Sequence, residues 1–592
     1  MTQAKPTRKD ELAPDGRSWL GAAMAITVLV LLGGWATMLL ARGKPPPPPL
    51  APYAIPTISS EEPLPAPPGI PLAGTQILRF VNSAEPETLD PALMKAVPDL
   101  TVALALFEGL TSLHPKTLTP VPGIAERWDI SPDGRTYTFH LRRSRWSDGQ
   151  PLTAHDFAYA WRRALEPETR SAYSYVLYPI ENAEAFNTRK LHDFSLVGVK
   201  ALDDRTLQVR LDHPVPYFLE LTAFATYAPV RKDAIDAHGD RWTRPGHLVS
   251  NGPFALTDWR QRERIIARKN PHYWDAGRVR LQEIDFLPID DSETALKKYL
   301  NREVHWIRDV PAPKVTAAAR LPGFRYSPLF ATYFYRFNVT RPPLDDPRVR
   351  RALALAVDKE SIARYLLRAG QRPARGFVPP LLPTYTPVEG PACDPAEARR
   401  LLAEAGFPGG RGFPRLELLY NTSEAHQLVA EALQHMWQTA LGIRIDLLNQ
   451  ESKVYLDSMA RLQYDIARSS WTADYNDPMT FLDLFVTGGG NNRTGWSHPR
   501  YDECIRLAAR EANAARRQTL LQEAERILVC DEMPILPLYF FVNIYLVDPQ
   551  VIGVYDNSRN LHPFQYIALA ADSHARPYAP RGDEQSAAPR PQ

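Results

Sequence analysis

Cysteine is scarce in this chain, with only Cys393, Cys504 and Cys530 among 592 residues. None sits in a CxxC pair, which excludes zinc-ribbon and thioredoxin-like sites, and an odd count cannot complete a disulfide framework. Three free thiols, or one bridge and a spare, remain open. Excess charge of one sign is also missing. The 69 Lys and Arg against 67 Asp and Glu leave a net charge of +2. No long basic run occurs outside the N-terminus, so the electrostatic footprint of a nucleic-acid binder is absent. Enzyme patterns are missing too: no HExxH, no GxSxG, no GxxxxGK[ST] and no GxGxxG after a strand. The 14 histidines are scattered without metal-ligand spacing, and His140 reads as a packed strand residue. Gly488-Gly489-Gly490 lacks the Lys and the following helix of a phosphate site. Nothing marks an enzyme, a metal centre or a cofactor.

What is present is ordinary globular material, 44% hydrophobic and 23% charged, enough to build a sizeable core. The organisation is uneven. Residues 1–17 carry Lys5, Arg8, Lys9 and Arg17, and 18–41 contain no charge. A run of that length crosses a bilayer as a helix at about 1.5 Å per residue. The heavier basic flank on the N-terminal side puts that end in the cytoplasm. A cleaved signal needs only about 7–15 apolar residues. The longer run, with bulky Trp19 and Trp35, favours an uncleaved transmembrane anchor. No cysteine follows it, which excludes lipid attachment at a lipobox. Residues 42–75 are a proline-rich linker, extended because proline fixes φ and lacks a donor. The polar stretch 572–592 reads as a disordered tail.

Between them strands and helices alternate. Period-2 strands are expected from Ile77, Thr136, Thr206, Glu283, Tyr333 and Ile443. Helices are expected after the Thr153/Asp156 capping box, and after Asp346-Pro347, running on as RVRRALALAVDKESIARYLLRAG. A third spans about Glu424 to Leu441 and stops at Gly442. The fold class is α/β, mixed sheets flanked by helices.

Several blocks in one order then become specific. They are ETLDPAL from Glu87, LFEGL from Leu106, TFHLRRSRWSDGQPLTAHDFAYAWRR from Thr138, VSNGPFAL, NPHYWD, LDDPRVRRALALAVDKE, and ARSSWTADYNDPMTFLDLF from Ala467. Together they resemble the family 5 extracellular solute-binding proteins of bacterial ABC importers, and within them the oligopeptide binders. The resemblance implies a two-lobed, periplasmic-binding-protein-like (type II) fold with an extra third domain. Lobe I would combine 76–107, 236–330 and 540–571, the extra domain 108–235, and lobe II 331–539. It implies a monomer that captures short peptides on the periplasmic side of the inner membrane and passes them to permease subunits. Murein peptides, another solute, or a sensing role are the alternative.

A short peptide offers an ammonium, a carboxylate and a row of amides. The run from Arg468 through Trp471 to Asp474 supplies a cation, an aromatic and a carboxylate, and charge-assisted hydrogen bonds are the strong kind. Read alone, Arg468 and Asp474 are a salt bridge, Trp471 a core residue and His426 a helix-surface residue. The resemblance assigns Asp474 to the peptide ammonium, Arg468, His426 and Arg368 to its carboxylate, Trp471 to a side-chain pocket, and Tyr173 to ligand contact. It assigns amide pairing, as an added strand, to the segment Lys95–Val97 and to one following Gly442. The chain departs from the family pattern at Lys95, commonly acidic, at Ser452, commonly Trp, and at Thr472, a Cys in some members whose bridge partner falls at Phe330. Lys95 would favour acidic residues in the guest.

Overall fold

The computed structural model describes residues 69–511 and 513–571. The run 18–41 expected as an anchor or signal, the stretch 1–17 expected in the cytoplasm, most of the expected linker and the expected 572–592 tail lie outside the described residues. Among the described residues no helix is long and apolar enough to cross a membrane.

An 11-stranded mixed sheet organises the fold. In chain order its main strands are β1 (Ile77–Val81), β2 (Phe254–Arg260), β3 (Arg264–Lys269), β4 (Glu283–Leu287), β5 (Trp306–Ile307), β6 (Phe324–Phe337), β7 (Leu416–Asn421), β8 (Ile445–Gln450), β9 (Ile466–Thr472) and β10 (Ile535–Val547). Their spatial order is β2-β3-β4-β1-β5-β10-β6-β9-β7-β8, and Arg372–Pro373 adds to β10. The two longest strands, β6 and β10, pair antiparallel at the centre. Strands from residues 77–307 lie on one side of that pair and strands from 416–472 on the other. A separate four-stranded antiparallel sheet, 125–130, 136–141, 206–210 and 199–203 in spatial order, lies within 108–235.

The sheet surfaces bury alternating sets of side chains, as a pleat of period two requires. Phe330 and Phe334 of β6 join a core that includes Phe80, Phe286, Phe139, Trp161, Phe377 and Phe481. Tyr333 and Tyr335 join a second core under Val349, Leu353, Val429, Leu433 and Trp437.

Most of the expected elements sit where their local signals put them. Helix α1 is Val97–Leu106. Helix α2, Ala154–Leu165, begins with the Thr153/Asp156 capping box, Thr153 N–H donating to Asp156 Oδ2 at 2.7 Å. Helix α3, Pro347–Leu355, has Asp346 as its cap, and α4, Glu424–Leu441, ends at Gly442 with φ 72°. The single long helix expected after Asp346 is interrupted. The α3 turn closes at Ala356, and Asp358 then caps a new segment by accepting from Ser361 N–H at 3.0 Å. A second capping carboxylate inside an apolar pattern resets the backbone. Strand β6 begins nine residues before Tyr333, at Phe324. The three cysteines are free thiols.

Candidate functional site

Strand β9 carries the expected run, and its pairing decides what that run can do. On one side it pairs with β6 from Ile466 to Thr472. Asp465 and Ala473 continue that ladder, Asn338 N–H donating to Asp465 O and Ala473 N–H to Phe330 O, both at 2.9 Å. In an antiparallel ladder bonded and non-bonded residues alternate. The odd-numbered residues of β9 therefore bond to β6, and Arg468, Ser470 and Thr472 turn their amides the other way. There β7 pairs only with Ile466 and Ala467. The edge at Ser470 and Thr472 takes no other strand among the described residues.

Opposite charges mark the two ends of this edge. Asp474 lies just beyond the strand, half-buried, and accepts from Tyr175 Oη at 3.2 Å, while its N–H donates to Thr480 Oγ1 at 3.1 Å. Arg559 donates to the Asp474 carbonyl, and its guanidinium is 3.7 Å from Glu220; among the described residues no ion pair forms at the Asp474 carboxylate itself. Burial pushes the carboxyl up to about 6, against the lowering effects of Arg559 and the Tyr175 hydroxyl. Asp483 behind it is raised to about 7, by burial first and the Asp474 charge second. The Tyr173 ring packs at a tilt against both Tyr175 and Phe224, centroids 5.5 Å apart, and burial, then Asp474, raises its phenol. Trp471 packs against the first core, its indole N–H reaching Thr480 Oγ1 at 3.5 Å.

At the other end the Arg468 guanidinium lies 4.7 Å over the Tyr333 ring and donates to Asn421 Oδ1 at 3.3 Å. Its Nε is buried without a hydrogen-bond partner, and no ion pair forms at Arg468 among the described residues. His426 stands beside it, Nδ1 3.3 Å from Tyr333 Oη. Burial, then Arg468, pushes that imidazole down to about 3 and keeps it neutral.

The structure thus groups Asp474, Trp471 and Tyr173 at one end and Arg468 and His426 at the other. It does not gather the remaining three. Arg368 is exposed in a left-handed turn, φ 55°, and its guanidinium Nε donates to Tyr365 O of its own turn, at 3.0 Å. Lys95 is exposed and paired with Glu87 at 2.9 Å. Val97 opens α1 and is 55% exposed. The Lys95 and Ala96 N–H groups both donate to Asp99 Oδ2 at 3.2 Å, so helix capping uses the donors an added strand needs. The segment following Gly442 becomes β8, on the outer edge of the sheet, two strands from β9. The residue across from Thr472 is Ala331, not Phe330, a one-residue register correction. Sequence reasoning missed Tyr175, Ser470 and Arg559. Ser470 follows from strand alternation once Arg468 is named, whereas Tyr175 lies in the helical turn Ser174–Leu177, where period two does not apply, and nothing local signals Arg559. Among the described residues no three His, Cys, Asp or Glu side chains gather as a metal site.

Comparison with known proteins agrees with this architecture. The model of bacterial extracellular solute-binding proteins, family 5 (middle), matches residues 119–493. The chain belongs to that family. It is 37% identical over 497 residues to the oligopeptide-binding protein OppA of Bacillus subtilis, covering 81% of this chain and 90% of the relative. It is 38% identical over 498 residues to a probable deoxycholate-binding periplasmic protein, YgiS, of Escherichia coli, covering 82% and 92%. The structure of the Escherichia coli murein tripeptide binding protein MppA superposes with a TM-score of 0.77 at 35% identity, covering 85% of this chain and all of that one.

Proposed function

We propose that this protein is the peptide-capturing component of an ABC importer, holding a short peptide along the open edge of β9. One observation carries the reading. Asp474 and Arg468 bracket that edge with opposite charges, and neither side-chain charge has a counter-ion among the described residues. A half-buried charge left unpaired is costly unless a guest supplies its partner. A peptide ammonium fits Asp474 and a peptide carboxylate fits Arg468, with Ser470 and Thr472 pairing the amides between. Strand rise of about 3.3 Å per residue sets those ends at most about 20 Å apart, which suits a guest of roughly three to five residues. The oligopeptide and murein-peptide names of the relatives above support the same chemistry.

In this reading β6 and β10 cross between two lobes, with 76–107, 236–330 and 540–571 in lobe I, 331–539 in lobe II and 108–235 as the extra domain. The apolar run at 18–41 holds the body on the periplasmic face of the inner membrane, where permease subunits receive the guest. No enzyme activity is needed.

Titration of the purified full chain with tri- to pentapeptides tests it. Binding at a hundredfold excess over Kd adds about 2.7 kcal/mol to stability. Asp474→Ala should lose that gain, and N-acetylated peptides should fail to give it. A wild-type chain that responds to no peptide pool sinks the reading.

A further inference from the structure

A second cationic feature lies on the central strands. Strand β5 pairs with β10 at Trp306↔Val547 and Ile307↔Leu546, so the next step of that register sets Arg308 across from Tyr545. On the far side of β10, Tyr545 pairs with Arg325. Directly opposed residues share a sheet face, which puts Arg308, Tyr545 and Arg325 in one row. The His562 ring packs on that face, 5.0 Å from Trp306 and 5.8 Å from Tyr545. Burial first, then Arg308 and Arg325, pushes His562 down to about 3, so both guanidinium fields converge there on a neutral ring.

Neither arginine forms an ion pair among the described residues. Arg308 Nη1 donates to Thr101 Oγ1 at 2.5 Å, and the adjacent Asp309 turns its carboxylate to Ser83 Oγ at 2.8 Å. Thr101 stands one helical turn after the exposed Val97 on α1. Arg325 is exposed and Arg308 partly accessible. The row connects to the peptide edge through one short segment. Asp556 accepts from Tyr545 Oη at 2.5 Å, and Arg559, three residues on, binds the Asp474 carbonyl. The cation the sequence suggested for reading acidic guests, Lys95, is already paired with Glu87.

We propose that Arg308 and Arg325 form an anion subsite beside the Asp474 end of β9, selecting peptides that carry a carboxylate side chain. This rests on the peptide-capture reading above. The subsite supplies donors for a Glu or Asp side chain and leaves a neutral Gln or Asn without the charge term.

Calorimetric titration of the full chain with Glu-Ala-Ala, Ala-Glu-Ala and Ala-Ala-Glu, each against its Gln counterpart, tests the subsite. The wild type should prefer one Glu peptide by about tenfold, the size of a good charge-assisted contact. Arg308→Met, alone or with Arg325→Met, should erase that preference and leave affinity for the Gln peptide within about twofold. Arg308→Lys should restore most of it, which separates charge recognition from a folding defect. Equal wild-type affinities for every Glu/Gln pair, or a preference that survives the double Met variant, would overturn the subsite while leaving peptide capture intact. A wild type that binds none of the six peptides overturns both.

Discussion

Asp474 and Asp477 are three residues apart in the same turn beyond β9, and they are treated in opposite ways. The Asp477 carboxylate receives both terminal nitrogens of Arg517, at 2.7 and 2.8 Å, and the Met479 N–H at 2.9 Å. The Asp474 carboxylate receives one phenol, at 3.2 Å, while the nearby Arg559 spends its hydrogen bond on the backbone carbonyl. Two buried or half-buried carboxylates in one turn thus divide the labour. The one closed off internally fastens the turn to the helix that carries Arg517. The one left with a hydroxyl keeps its charge for something that arrives from outside. A salt bridge in this turn is therefore weak evidence of a site, and its absence one turn of chain away is the stronger sign.

The comparison breaks most visibly at Asp477. Asp477→Asn leaves Arg517 buried without an anion, a loss of roughly 3–5 kcal/mol in unfolding free energy. Denaturant titration reads it, and peptide affinity of the folded fraction should change little. An Asp477→Asn chain of wild-type stability would mean the two carboxylates are equivalent after all.

Asp474→Asn should do the reverse. The folded-state Asp474 carboxyl is raised to about 6 from its ordinary 3.8, so the folded protein holds that proton more tightly than the unfolded chain. A raised group contributes its stability at low pH and loses it as pH climbs through about 6. In the unliganded wild type this loss falls between about pH 4 and 7, on the order of 1–2 kcal/mol after allowing for partial exposure. Asp474→Asn removes it, so the variant should be the more stable chain at pH 8 while binding no peptide. Melting curves of both chains across pH 4–8 check the sign. A variant less stable than wild type at pH 8 contradicts it.

How far the sequence could reach shows in the same residues. Elements with local signals were legible: the Thr153/Asp156 box, the Asp346 cap and the Gly442 stop each depend on residues within a few positions. The Arg468–Asp474 run also reads locally, because its two ends are only six residues apart in the chain, on β9 and just past its end. The amide-pairing edge was not legible, since which side of β9 stays open depends on β7 ending its pairing at Ala467, a long-range fact. Lys95–Val97 reads as an extended segment until Asp99, two residues beyond Val97, captures its donors. Arg559 reaches Asp474 from 85 residues away with nothing in its own neighbourhood to announce it.

Lys95 gives the smallest effect and the sharpest contrast with the arginine row. Its ammonium and the Glu87 carboxylate are each more than half exposed, and exposed pairs contribute about 0–1 kcal/mol. Lys95→Met should therefore shift unfolding by less than about 1 kcal/mol and leave discrimination between Glu- and Gln-containing peptides intact. The reasoning is the one that separates Asp474 from Asp477: a charge already answered within the chain has little left for a guest. Should Lys95→Met abolish selection of the Glu peptide, internal pairing would not predict which charges read the ligand, and the acid-selecting cation would lie at α1 rather than on the central strands.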